Sequence, residues 1–329
     1  MRPIEPIRID EIRAARQRIA GVALRTPLVH LELPERERPA VEIHLKLENL
    51  QPIGSFKLRG AANAMRSAGA AQLAAGVWTP SAGNMAQGVA WNARRMRVPC
   101  TVVVPENAPR TKLAAAERLG ARIRRVPYEA WWQSILTHRH RGADGILIHP
   151  VSDPAVIAGN GTIGLEILDD LPDADAIVVP YGGGGLSAGI ASAVRAVRPE
   201  VRVYACEVET AAPLAASLAA GSPREITHTP SFVDGIGGKS VLPEMWPLVS
   251  RLLAGSLVVS LAEVCEAIRL LSERCRVIAE GAGAAPVAAA LCGRAGTGKV
   301  VCVVSGGNID SSTLVAILAG GPPPAPREC

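Results

Sequence analysis

The sequence predicts an α/β protein with two open parallel sheets. Short apolar runs of strand length, such as residues 101–104 and 176–180, alternate with longer helical runs. Strands and helices in alternation form right-handed βαβ units, which build parallel sheets. With 329 residues, the chain is also long enough for two domains. We assign the chain to a small domain (49–151), a large domain (1–48 and 152–320) and a flexible tail (321–329).

The first half of the chain contains the first predicted elements of the large domain and then those of the small domain. Ile9, Ile12 and Ile19 predict an amphipathic first helix. Residues 25–28 are predicted to form a turn, and residues 41–47 a strand. The next elements are helices at 58–70, 85–96, 110–119 and 129–141, and strands at 77–79, 101–104, 121–126 and 146–148.

The second half completes the large domain. Residues 157–164 belong to a long predicted helix, and the proline- and glycine-rich residues 221–247 are predicted to be loop. The other elements are strands at 176–180, 201–206 and 299–304, and helices ending near 197 and at 261–276, 283–291 and 310–318.

Composition narrows the class of protein. Hydrophobic residues make up 48% of the chain and charged residues 20%, as in globular proteins. The formal charge is +5, but the arginines are scattered, so we expect no nucleic-acid partner. No apolar run approaches the ~20 residues of a membrane span. Seven cysteines without a CxxC pair indicate reduced thiols and a cytoplasmic protein.

The turn before the helix at 58–70 places a lysine where cations are unusual. Ser55 is the predicted N-cap, so Lys57 falls in the first helical turn. The helix dipole disfavours a cation there by roughly 0.3–1 kcal/mol. A lysine whose charged form is disfavoured is suited to act as a nucleophile, although a solvated lysine is the ordinary alternative.

A glycine run follows the predicted strand at 176–180. Gly182, Gly183, Gly184, Gly185 and Leu186 lead into a helix, and such a turn binds phosphate through backbone N–H groups. The same run fits a dinucleotide motif, Gly183-x-Gly185-x-x-Ala188, with Glu207 after the next strand. Four consecutive glycines, together with a reactive lysine, favour a single phosphate group.

Two further turns follow predicted strands. Residues 81–88, Ser-Ala-Gly-Asn-Met-Ala-Gln-Gly, lie between a strand and a helix, where exposed N–H groups could bind a carboxylate. An ordinary capped turn is the alternative. Residues 305–308, Ser-Gly-Gly-Asn, close the last strand at its carboxyl end, where open α/β sheets bind ligands.

These motifs together resemble the fold-type II pyridoxal-phosphate (PLP) enzymes, in the threonine/serine dehydratase and serine racemase family. The resemblance covers nearly the whole chain and implies a tryptophan-synthase-β-like fold with pyridoxal 5'-phosphate as cofactor. Residues 54–61 resemble the Schiff-base segment, with Lys57 as the catalytic lysine. The implied cofactor-binding residues are Phe56, Lys57, Asn84, Gly182, Gly183, Gly184, Gly185, Leu186, Gly235, Glu280 and Ser305. The implied substrate-binding residues are Ser81, Ala82, Gly83, Asn84, Met85 and Gln87.

The resemblance implies β-elimination of L-threonine or L-serine to a 2-oxo acid and ammonia by a cytoplasmic homo-oligomer, expected to be a dimer. Ala82 stands where the racemases place a proton-donating serine, which disfavours racemisation. Met85 replaces a usual histidine and leaves open another substrate, such as 3-hydroxyaspartate. Pro213 replaces an aspartate of the racemases' cation site, so we expect no metal. An NAD-binding module or ligand sensor is the alternative of another class.

Overall fold

The structure is a computed structural model that describes residues 2–33, 41–108, 110–321 and 323, with the side chains of all but 110–112. Most of the predicted tail, residues 322 and 324–329, lies outside the described residues. Within the described part, no helix is both long and apolar enough to cross a membrane.

Within the residues that the structure describes, ten strands form two sheets. The six-stranded sheet has the order β1-β2-β10-β7-β8-β9, and only the β1–β2 pair is antiparallel. Its strands are β1 (Leu28–His30), β2 (Val41–Leu47), β7 (Ala176–Pro180), β8 (Arg202–Val208), β9 (Gly255–Val259) and β10 (Gly298–Val304). The four-stranded sheet, in the order β5-β4-β3-β6, is parallel throughout. Its strands are β3 (Val77–Thr79), β4 (Cys100–Pro105), β5 (Arg122–Val126) and β6 (Ile146–Leu147).

Thirteen α-helices of the described residues connect and cover these strands. They are α1 (Ile9–Arg18), α2 (Lys57–Ser67), α3 (Ala70–Leu73), α4 (Asn84–Met96), α5 (Arg110–Arg118), α6 (Tyr128–Thr137), α7 (Pro154–Asp170), α8 (Gly185–Val197), α9 (Pro213–Ala220), α10 (Trp246–Leu252), α11 (Leu261–Leu270), α12 (Gly281–Leu291) and α13 (Ser311–Leu318). The predicted fold class is confirmed. The four-stranded sheet uses only residues 77–147, which suits the two-domain division, although its boundaries stay a prediction.

Several elements differ from the prediction. The segment predicted as a turn at 25–28 leads into β1, whose three residues are too few to show a periodic pattern and pair with the distant β2. The predicted helix 261–276 ends as α11 and continues as a π-helical turn at Leu271–Cys275. The predicted loop 221–247 holds a 3₁₀ turn at Asp234–Ile236. Short elements absent from the prediction are α3, α9, α10 and β9.

The centre of the large sheet is buried on both faces. In β10, Val300, Cys302 and Val304 pack in a core with α12, whereas Val301 and Val303 pack on the opposite side with α7 and α8. A strand covered on both faces is a nearly continuous apolar run, as residues 300–304 of β10 show. A separate core lies around the four-stranded sheet. Helices α2 and α7 cross beside it, and their glycines Gly60 and Gly159 bring the two backbones close together.

Candidate active site

Lys57 is the first residue of α2. The predicted N-cap at Ser55 is wrong, because Phe56 holds the cap position and no side chain caps the helix. The Ser55 backbone instead forms a bridge with Gly306, and Phe56 N donates to the Ser305 carbonyl at 2.9 Å. The loop after β10 thus holds the start of α2. The buried Ser55 Oγ has no hydrogen-bond partner among the described residues.

The Lys57 amine lies in a partly buried position. Its Nζ donates to the Pro150 carbonyl at 2.8 Å and lies 5.1 Å from the centre of the Phe56 ring. Burial lowers the pKa of Lys57 to about 8, although the negative charge of Glu280 opposes this shift. An amine with this pKa is partly neutral near neutral pH, as a base or nucleophile must be.

The loop that holds the amine is itself fixed by a histidine. His149 Nδ1 accepts from Ser152 N at 2.8 Å and from Val151 N at 3.2 Å, while Nε2 lies 3.2 Å from the Ile135 carbonyl. Burial, aided by nearby His138, lowers the pKa of His149 to about 3, so its ring stays neutral and can accept at Nδ1. This buried histidine therefore has a structural role.

The glycine run lies where β7 leads into α8. Gly184 is the N-cap of α8 and has φ of +95°, a conformation that glycine adopts without strain. A Cβ at Gly183 would lie 2.5 Å from the Val151 side chain, and one at Gly185 would lie 2.6 Å from the Val151 carbonyl oxygen. Side chains are therefore excluded here, and the first N–H groups of α8, which lack intrahelical acceptors, are suited to an anion.

Tyr181 contributes a feature that sequence reasoning missed. Its hydroxyl is buried without a hydrogen-bond partner among the described residues and lies 3.3 Å from a Cβ built at Gly184. Burial and the charge of Glu207 raise the pKa of Tyr181, so the hydroxyl stays protonated. A protonated donor without a protein acceptor beside this loop fits a phosphate-binding site. The only signal in the sequence was its place between β7 and the glycines.

Asn84 connects the two sheets. It is the first residue of α4, after β3, and its Nδ2 donates to Glu280 Oε1 at 2.8 Å. Asn308 Nδ2 donates to Asn84 Oδ1 at 2.7 Å and to the Ile53 carbonyl at 2.9 Å. These bonds fix the orientation of the Asn84 amide. The sequence predicts a ligand-binding turn at residues 305–308 but not the bond from Asn308 to Asn84.

Glycines make room for Glu280, the N-cap residue of α12. A Cβ at Gly306 would lie 2.6 Å from Glu280 Oε1, and one at Gly235 would lie 3.5 Å from the same oxygen. Ser305, which follows β10, is 2% exposed. The structure thus brings Gly235, Glu280 and the Ser305 loop together next to Asn84.

The predicted carboxylate loop follows β3. Ser81 Oγ accepts from Gly83 N at 3.3 Å, and Ser81, Ala82, Gly83 and Gln87 are partly exposed. Met85 is 1% exposed and packs in the core of the four-stranded sheet. Its side chain therefore does not reach the loop surface, and only its backbone is available to a ligand.

Glu207 is not available as a ribose ligand. Its fully buried carboxylate accepts from Leu214 N and Ala215 N, each at 2.8 Å, and from Ser256 Oγ at 2.6 Å. Protein donors at the start of α9 thus satisfy both oxygens. This arrangement disfavours the dinucleotide interpretation, which requires a free carboxylate.

Comparison with known proteins agrees with this geometry. Residues 19–306 match the family "Pyridoxal-phosphate dependent enzyme". The L-threonine ammonia-lyase of Geobacter sulfurreducens is 42% identical, over 94% of this chain and 78% of that protein. The crystal structure of a threonine deaminase from T.th. has a TM-score of 0.80 at 35% identity, over 93% and 99% of the two chains. Serine racemase from Dictyostelium discoideum has a TM-score of 0.81 at 32% identity, over 93% and 100%.

The family inferred from the motifs is confirmed, and so is pyridoxal phosphate as the cofactor. The chain belongs to the family of pyridoxal-phosphate dependent enzymes.

Proposed function

We propose that this protein is a threonine/serine ammonia-lyase, which converts L-threonine or L-serine to a 2-oxo acid and ammonia. One observation carries the assignment. Pro150 accepts the hydrogen bond of Lys57, and its neighbour Val151 lies against Gly183 and Gly185. One short loop therefore contacts both the amine and the phosphate-binding glycines. The names of the relatives, L-threonine ammonia-lyase and threonine deaminase, support this choice of reaction.

The cofactor would be held at both of its ends. Lys57 would bind its aldehyde carbon, and the glycines with Leu186 and Tyr181 would hold its phosphate. Phe56, Asn84, Gly235 and Glu280 would surround the ring, with the Ser305 hydroxyl at the ring nitrogen. When bound, the cofactor withdraws electrons from the substrate Cα and so makes its proton acidic.

The protein supplies a base and an orientation. The N-terminus of α4 and the loop Ser81–Asn84 would bind the substrate carboxylate, which orients the Cα–H bond. The substrate amino group would take the place of the Lys57 amine on the aldehyde carbon, and the freed amine, whose pKa is lowered to about 8 by burial, would remove the Cα proton. The electron pair left on Cα would form the Cα–Cβ double bond as the bond from Cβ to the hydroxyl oxygen breaks, so that the proton removed from Cα and the hydroxyl of Cβ together leave as water. Hydrolysis of the released enamine gives the 2-oxo acid and ammonia.

Lys57→Ala tests the assignment. We expect this variant to lose the visible absorbance of the bound cofactor and to form 2-oxo acid from L-threonine at least roughly 1,000-fold more slowly, on the order of a lost base and nucleophile. Lys299→Ala is the matched control, because this lysine pairs with Asp173 at the surface. Full activity of Lys57→Ala would refute the proposal.

A panel of β-substituted amino acids separates the alternatives. An eliminase specific for 3-hydroxyaspartate would leave L-threonine and L-serine unreacted. A racemase would form D-serine, detected by chiral chromatography, but the methyl group of Ala82 cannot donate a proton. If the purified protein is colourless and binds NAD, this result would favour an NAD-binding module or ligand sensor. The cytoplasmic location and the homodimer stay predictions.

A further inference from the structure

Arg59 binds two carboxylates at once in the interior of the protein. Its Nε and Nη2 each donate to an oxygen of Glu48 at 2.8 Å. Its Nη1 and Nη2 donate to the two oxygens of Glu166 at 2.7 and 2.8 Å. The exposed fractions of the arginine and of Glu48 are 1% and 0%. Such paired bonds set the orientation of a guanidinium group.

The two carboxylates belong to different elements. Glu48 begins the 3₁₀ turn after β2, and Glu166 lies near the end of α7. Buried Lys46 completes the group, since its Nζ donates to Glu166 Oε2 at 2.7 Å and to the Thr26 carbonyl at 2.6 Å. The two positive charges of this group therefore balance its two negative charges, because an unpaired buried charge would be strongly destabilising.

This cluster lies next to the catalytic lysine in sequence. Arg59 is the third residue of α2, two positions after Lys57, and α2 lacks a side-chain N-cap. Uncapped helix ends fray, which would change the direction and the exposure of Lys57. Arg59 lies in this first turn, so its bonds to Glu48 and Glu166 hold the turn in place.

We propose that Arg59 is a positioning residue, which fixes the first turn of α2 between Glu48 and Glu166 and thereby holds Lys57 at its site. The inference rests on the role of Lys57 in the proposed function but not on the identity of the substrate. It extends beyond that function, because Arg59 has no place in the proposed contacts with cofactor or substrate.

The test measures the Lys57 amine directly. In full-length protein freed of cofactor, the pH dependence of reductive methylation at Lys57, followed by mass spectrometry, gives the pKa of this amine. We expect about 8 in the wild type, because burial outweighs the nearby charge of Glu280. Arg59→Lys keeps the charge but loses the paired bonds, and we expect the midpoint to rise by about one unit, a roughly tenfold smaller neutral fraction at pH 7.

Arg294→Lys is the matched control. Arg294 also binds a carboxylate through two nitrogens, at 2.9 and 2.7 Å from Glu263, but near the surface and away from α2. We expect it to leave the Lys57 midpoint unchanged. An unchanged midpoint in Arg59→Lys as well, even with a lower melting temperature, would show a purely structural role and overturn the proposal. This result would not affect the ammonia-lyase assignment, which Lys57→Ala tests.

Two further measurements test the proposal if Arg59→Lys does not fold. Glu48→Gln keeps the size of the side chain and removes one charge, and we expect a smaller rise of the midpoint. Hydrogen exchange of the wild type needs no substitution: amides 61–63 should exchange as slowly as amides 64–66, because their acceptors in the first turn of α2 stay in place. Exchange of amides 61–63 more than roughly 100-fold faster would contradict the proposal.

Discussion

The lowered pKa of Lys57 follows from the position of its own side chain. Among the described residues, its amine has one protein acceptor, the Pro150 carbonyl, and its position is partly buried, so the charged form loses hydration that little replaces. The negative charge of Glu280 offsets only part of this loss, and the pKa falls to about 8. Reactivity at this residue therefore has a cost in stability when the cofactor is absent.

Replacing Lys57 by methionine should stabilise the cofactor-free protein. Below pH 8 the amine is charged in both folded and unfolded states, so the full cost of burying the charge is present. We expect Lys57→Met to raise the free energy of unfolding at pH 7 by roughly 2–3 kcal/mol, because lowering the pKa of the amine from 10.5 to about 8 costs about 3.4 kcal/mol and the lost hydrogen bond offsets about 1 kcal/mol of this gain.

The pH dependence gives the check on this prediction. As pH rises from about 8 towards the ordinary pKa of 10.5, the folded wild type loses its proton first and gains stability. The difference between variant and wild type should therefore shrink over this range. Urea denaturation at pH 7, 8.5 and 10 measures it, and a difference that stays constant with pH would contradict the explanation.

At the scale of elements, the crossing of α2 and α7 places Arg59 beside Glu166. The crossing depends on glycine, because a Cβ at Gly159 would lie 2.6 Å from the Arg59 carbonyl and 2.9 Å from Asn63 Cβ. Neither neighbour can move freely, since both belong to α2. The close approach of the two helices therefore sets the geometry of the first turn that carries Lys57.

Gly159→Ala should destabilise the protein although alanine favours helix. Helix propensity alone would add about 1 kcal/mol of stability, whereas overpacking a tight contact costs about 1–3 kcal/mol. We expect a net loss of stability and therefore a lower melting temperature. Gly238→Ala is the control, because its nearest neighbour would be 3.9 Å away. A stabilised Gly159→Ala variant would show that the helices can separate without cost.

At the scale of the whole molecule, the site joins the carboxyl ends of strands from both sheets. Asn84 follows β3 of the small sheet, whereas Ser305 and the glycines follow β10 and β7 of the large one. The bond from Asn84 to Glu280 and the contact of Val151 with Gly183 connect the two parts directly. A cofactor bound to Lys57 and to the glycines would add a further connection.

Pyridoxal phosphate should therefore stabilise the whole protein. A ligand that binds only the folded state at roughly 100 times its Kd adds about 2.7 kcal/mol, which corresponds to a rise of several degrees in Tm. Pyridoxal without its phosphate is the matched control and should give a much smaller shift, because the glycine loop then has no anion to bind. Equal shifts from the two compounds in thermal denaturation would argue against the phosphate site.

The sequence alone determined the α/β class, the parallel sheets and the residues around Lys57 and Gly182–Gly185. These features depend on local patterns: alternating apolar runs, glycines before helices and a lysine at a helix start. It did not show β1, because three residues carry no periodicity, and it placed the N-cap at Ser55, whose backbone pairs instead with Gly306.

Which distant groups meet depends on the tertiary structure. Arg59 between Glu48 and Glu166, Tyr181 against Gly184 and Asn308 on Asn84 join residues up to 224 positions apart. No local pattern encodes such pairs, because they depend on how α2, α7 and the sheets pack. The same packing gives the Lys57 amine a neutral carbonyl as its acceptor, so burial lowers its pKa, whereas it pairs Arg59 with two carboxylates that keep the buried guanidinium charged.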